Sequence, residues 1–182
     1  MEKCFRALAV AAVAWMMAAC QTAPRQAAAP APESEQVISE GLKELYMKVS
    51  TASPQSQEQQ KLILRMANQA SNGKEVLLVV RAADGVFPSD PASKPSPLEN
   101  QIRSITAAKM IQLATLDQLV DYAVRYPVDS EHARPLAEHI FALGNQTTDS
   151  RVWYRIKAAA NHLGAPDLVA QAQANGDRLT AR

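Results

Sequence analysis

Helix punctuation constrains this chain more than any other feature. Short apolar stretches of helical period are broken at close intervals by residues that start or stop helices. Ser96-Pro97-Leu98-Glu99 and Thr115-Leu116-Asp117-Gln118 both have the form of a capping box, and Pro97 occupies a first helical position. Gly144 and Gly164 each end an apolar stretch, and Ala165-Pro166-Asp167 opens another directly afterwards. Between these marks, Leu98, Ile102 and Ile105, then Leu116, Leu119, Val120 and Ala123, then Val152, Trp153, Ile156 and Ala159 fall on helix faces. The pattern predicts short helices joined by short turns, an all-α small bundle of stacked αα-hairpins.

Composition agrees. Alanine, the best helix former, dominates the 47% hydrophobic content, whereas aromatic residues make up 5%. The first half is punctuated less sharply. Ile38, Leu42, Leu45 and Val49 share one helix face. Ser53-Pro54 reads as the cap of a helix through Leu62, Ile63, Met66 and Ala70 that stops at Asn72-Gly73. The run Glu75 to Ala83 fits either a buried strand or a short, wholly buried helix, and helix is preferred because no second strand is evident. Around residues 131 to 143 a helix is expected, with Pro135 in its first turn or kinking it. Residues 84–97 carry four prolines and read as a loop dividing the body into two halves.

The N-terminus has a different character. Lys3 and Arg6 precede the uninterrupted apolar run 7–17, which at 11 residues is about half the ~20 needed to span a bilayer. It reads as the core of a signal peptide. The tetrad Met17-Ala18-Ala19-Cys20 resembles the lipobox of bacterial lipoproteins, with Met17 where that family most often has Leu. The resemblance implies cleavage between Ala19 and Cys20 and a diacylglycerol on the Cys20 thiol, so residues 1–19 would be removed and Cys20 would anchor the chain. Gln21, where Asp would favour inner-membrane retention, implies an outer-membrane, periplasm-facing location; the inner membrane and the cell surface are the alternatives. Residues 20–35, with Pro24, Pro30 and Pro32 among alanines, read as the lipidated cysteine and a Pro/Ala-rich tether, leaving 36–182 as the helical domain.

Several activities lack support. Net charge is +1 for the whole chain and neutral once Glu2, Lys3 and Arg6 are removed, and no basic stripe suits nucleic acid. Cys4 and Cys20 are the only cysteines, so the mature chain would have no free thiol for catalysis, disulfides or metal. His132, His139 and His162 lack a tight ligand spacing, and no catalytic residue, cofactor or metal site is predicted beyond the covalent lipid. Phe87 in the Pro-rich loop, Trp153 with its neighbour Tyr154, and Tyr122 are the aromatic candidates for partner contact. The expectation is a non-enzymatic protein-binding or assembly factor of the bacterial envelope, anchored to the membrane by its lipid. By architectural analogy alone this suits secretion, pilus or conjugation accessories. A peptidoglycan-acting enzyme and an exclusion or adhesion lipoprotein are the alternatives.

Overall fold

The computed structural model describes residues 35–87 and 94–181. The expected signal segment, the cleavage site at Ala19-Cys20 and all but the last tether residue lie outside them, as do residues 88–93. The described residues form eight α-helices and no strand: α1 (Glu40–Thr51), α2 (Gln57–Gln69), α3 (Gly73–Asp84), α4 (Pro97–Leu113), α5 (Leu116–Arg125), α6 (Ser130–Gly144), α7 (Ser150–His162) and α8 (Pro166–Thr180). The all-α prediction holds, and the run 75–83 is helix, with Val76 and Val79 wholly buried in α3.

The caps explain most boundaries. Ser96 accepts from the Glu99 N–H, and Gln118 reaches back to the Thr115 N–H at 3.0 Å. Asp129 and Asp149 cap α6 and α7. Two expected boundaries shift. Ser56, not Ser53, caps α2 by accepting from Gln59, which leaves Pro54 in the preceding turn. Asn72-Gly73, read as a stop, is a start: α2 ends at Gln69 and Asn72 caps α3 through the Glu75 N–H. Asn serves at either end of a helix, so its type alone does not decide the direction. Pro135 lies in the second turn of α6, not the first, where its missing N–H leaves the Glu131 carbonyl without its usual helical partner.

The helices stack in order along the chain. Every extensive helix–helix contact joins helices one or two places apart: α1 meets α2 and α3, α2 meets α3 and α4, α3 meets α5, α4 meets α6, and α5 to α8 continue the series. Helix pairs begin at residues 40, 73, 116 and 150, spacings of 33, 43 and 34 residues. This is the connectivity of a short α-solenoid: four αα-hairpins, each resting on its neighbours. No recurring side-chain pattern marks the hairpins, which is why the repeat is visible in the packing and not in the sequence.

One core runs the length of the stack, from Leu42 on α1 through Ile63, Val76, Ile102, Leu119 and Ile140 to Ala172 on α8. Each such aliphatic side chain, fully buried, contributes about 1.5–3 kcal/mol. The expected division at residues 84–97 is not a division in packing. Helix α3 reaches Asp84, α4 starts at Pro97, and α4 packs on both α2 and α3 across the loop. A second, smaller cluster of Ala137, Ala160, Ala165 and Leu168 joins α6, α7 and α8.

The segment before α1 is clipped to the body by polar bonds. Gln36 is buried, and its Oε1 accepts from the Lys74 N–H and from Gln118 Nε2, each at 3.0 Å. The Val37 carbonyl accepts from Asn72 Nδ2, and the Ser39 N–H donates to Glu75 Oε1. These bonds gather the N-termini of α1, α3 and α5 at one edge of the solenoid. Gly73 makes the close approach possible, because a Cβ there would lie 2.8 Å from Ala114 Cα and collide with the Gln118 side chain.

Candidate functional site

The opposite edge carries an open concavity. Helices α5 and α7 run side by side in the same direction: Asp117 in the first turn of α5 accepts from Arg155 Nη1 midway along α7 at 2.5 Å, and the last residues of both helices line one groove. Their C-termini therefore meet at the edge remote from the N-terminal clip. Between them, with the first turns of α6, lies a groove of about 690 Å³.

Its walls follow from how these helices end. Helix α5 stops at Tyr126-Pro127, because Pro127 has no N–H to continue the ladder. The chain then turns through Val128 to the Asp129 cap, leaving an apolar turn at the surface. Helix α7 ends with Gly164 at φ +68°, a left-handed residue whose N–H bonds back to the Asn161 carbonyl, and this exposes Leu163 at the groove. Val124, Tyr126, Pro127, Val128 and Leu163 supply the apolar lining, and Val124 keeps 37% of its surface.

Basic side chains stand at the rim. Arg125, Arg134 and His162 line the groove, and no carboxylate does. Carboxylates outside the walls answer the two arginines. Arg134 donates through Nη1 and Nη2 to both oxygens of Asp167 on α8, at 2.6 and 2.9 Å, and through Nε to Glu138. That fork holds the Asp167 carboxyl below the usual carboxylate range and fixes the start of α8 against α6. Arg125, itself exposed, instead makes one contact to the half-buried Asp121 four residues earlier, at 2.6 Å. A surface pair of this kind contributes ~0–1 kcal/mol, so Arg125 can exchange its partner at little cost.

The aromatic candidates separate. Phe87, Tyr122 and Trp153 are in the core, at 8%, 1% and 3% exposure, and offer no surface to a partner. Phe87 closes the end of α3, its N–H bonded to the Ala83 carbonyl. Trp153 meets Phe141 edge to face at 5.1 Å and lies against Gly144. Tyr122 stacks on Tyr126 at 6.0 Å, so the buried ring backs the groove's own tyrosine. Burial pushes the Tyr122 hydroxyl up to about 12, a hydrogen bond with Thr106 opposing and the Asp129 charge adding to the rise. Tyr154 alone stays accessible, at 38%, but it is a clamp: its ring lies on Gly176 and its hydroxyl donates to Asp177 at 2.9 Å, tying α7 to α8.

Sequence reasoning passed over the groove residues because each carried another explanation. Gly164 reads as a helix end, a role it also fills, and His162 is weighed only for its ligand spacing. The one available signal was Tyr126-Pro127-Val128, an apolar turn where polar residues are usual.

Asp129, Glu131 and His132 bring ligand atoms within 4.8 Å of one another, the one such grouping among the described residues. Asp129 Oδ1 is committed to capping α6, accepting from the His132 N–H at 2.9 Å and lying 2.8 Å from His132 Nδ1. Burial alone would raise the Asp129 carboxyl, but these His132 contacts outweigh it and hold the group below the usual range. The geometry is that of a capped first turn. Burial likewise lowers His139.

Fold and groove together define a class: a short α-solenoid of four hairpins with an open groove at one edge. Comparison with protein-family models, with curated proteins and with solved structures finds no match to this chain.

Proposed function

We propose that this protein is a lipid-anchored binding factor of the bacterial envelope, holding a segment of another envelope protein in the groove between the α5 and α7 C-termini. One observation carries the reading: the groove pairs an apolar lining with three basic rim residues and has no carboxylate in its walls. That chemistry suits an apolar polypeptide segment flanked by an acidic residue, which Arg125 would take in exchange for Asp121. The Met17-Ala18-Ala19-Cys20 resemblance supports the anchoring: a tether confines the domain near its membrane and raises its effective concentration for partners there. The role is binding, with no reaction of its own.

The test uses the lipidated protein purified from membranes. A photocrosslinker at Val124 should join it to one envelope protein, and Arg125→Glu should abolish the adduct while Met47→Ser, on the exposed face of α1, leaves it intact. Adducts indifferent to Arg125→Glu would remove the groove from the reading. Release of soluble muropeptides from cell wall by the same preparation would replace binding with catalysis.

A further inference from the structure

The point where the tether joins the body and the groove lie at opposite edges of the same helices. Gln36, the first residue of the clip, bonds to Gln118 in the first turn of α5, whereas Val124 to Tyr126 at the other end of α5 line the groove. Helix α7, alongside, has 13 residues and is about 20 Å long. We infer that the anchored protein presents its groove away from the membrane that holds its lipid, to a partner segment on the aqueous side.

The inference rests on the lipid-anchored reading above and adds an orientation to it. Residues 36–39 do not extend the tether, because the bonds to Lys74, Gln118, Asn72 and Glu75 hold them on the body. The tether therefore joins the body at the edge of the α1, α3 and α5 N-termini. Every orientation of the domain shares that point, and the bilayer excludes those in which the body would pass through it. Averaged over the remaining freedom, the clip edge stays nearer the membrane and the groove edge farther. A segment lying flat on the same membrane would meet the clip edge first. One rising from the aqueous side meets the groove.

Fluorescence energy transfer to a headgroup acceptor tests this. Thr148→Cys and Asn161→Cys place single exposed thiols just before α7 and near its C-terminus, at the clip and groove edges respectively. Each lipidated variant is labelled and reconstituted in vesicles whose headgroups carry the acceptor. Transfer should be more efficient from position 148 than from 161, and Gln36→Ala with Gln118→Ala should narrow the gap by freeing the clip. Equal transfer, or stronger transfer from position 161, overturns the orientation. Mass spectrometry of the same samples separates the two readings: an unmodified Cys20 overturns the anchoring, and the orientation with it, whereas an acylated Cys20 with equal transfer overturns the orientation alone.

Discussion

The backbone N–H of Ser39 donates to Glu75 Oε1 at 2.7 Å, joining residues 36 apart in sequence. The other oxygen of Glu75 accepts from the Ser71 N–H and the Ser71 hydroxyl, at 2.7 and 2.8 Å. One carboxylate thus fastens the start of α1 to the turn between α2 and α3, and only 1% of the residue is exposed. Lys109 on α4 stands nearby, its Nζ capping the last carbonyls of α2 through Asn68 and Ala70, and its own pKa lowered by burial. Three donors converging on one carboxylate favour its charged form.

That charge makes the clip sensitive to acid. Burial pushes the Glu75 carboxyl up, but the Ser39 and Ser71 bonds outweigh it and hold the group below the ordinary glutamate value. A folded pKa lower than the unfolded one means the contribution is complete at neutral pH, begins to fade near pH 5 and is lost as pH falls through the lowered value. Glu75→Gln should cost about 1–3 kcal/mol at pH 7, since hydrogen bonds to a charged group are the stronger kind. Thermal melts from pH 7 downward should show the wild type converging on the variant. A constant gap would mean that the charge is not what Ser39 and Ser71 bind.

Gly73 and Gly144 both sit in helices, where Ala would gain about 1 kcal/mol in propensity. Both are crowded, but by different atoms. A Cβ at Gly73 would meet the Ala114 backbone at 2.8 Å and the Gln118 side chain, which is already held by Thr115 and Gln36. A Cβ at Gly144 would meet Ile156 Cδ1, the free end of an aliphatic side chain. Gly73→Ala should therefore lower stability by about 1–3 kcal/mol, and Gly144→Ala by less, because Ile156 can change rotamer. Denaturant melts of the two variants give the order directly.

Four tyrosines are present, and Tyr122 should ionise late. With its hydroxyl raised to about 12, the neutral phenol is the folded form, so its contribution is complete below pH 10 and is lost as pH rises from 10 to 12. An absorbance titration of tyrosinate should show a late step near pH 12, missing in Tyr122→Phe. A wild-type curve without that step would mean that water reaches the ring.

The all-α class was legible because it rests on local signals. Caps such as Ser96 and Thr115 act within one turn, and helical spacing of Leu119 and Val120 needs no knowledge of neighbours. The stacking was not legible. It depends on contacts such as Gly73 against Ala114 and Arg155 with Asp117, 41 and 38 residues apart, which no window on the sequence contains. Aromatic residues misled for a related reason. Trp153, Tyr122 and Phe87 have the types that mark partner sites, but a core with few aromatics takes those it has, and all three are buried. The groove is made by the places where two helices stop, and a stop signal says nothing of what it leaves exposed.

The groove gives the last prediction, one that separates binding from folding. Val124 and Arg125 sit at the C-terminal end of α5, with 37% of Val124 exposed and Arg125 in a single surface pair. Val124→Asp places a charge in the apolar lining, and Arg125→Glu reverses one rim charge and sets it four residues from Asp121. Surface changes of this kind shift stability by about 0.5 kcal/mol or less, so both variants should melt with the wild type. Trp153→Ala should instead cost about 3–5 kcal/mol, because it empties a buried site beside Phe141 and Gly144. If the groove holds the partner, the first two variants lose it without unfolding, and the affinity loss from Arg125→Glu shrinks as salt is raised. Loss of stability in step with loss of binding would instead make Val124 and Arg125 part of the fold and leave the partner's surface elsewhere.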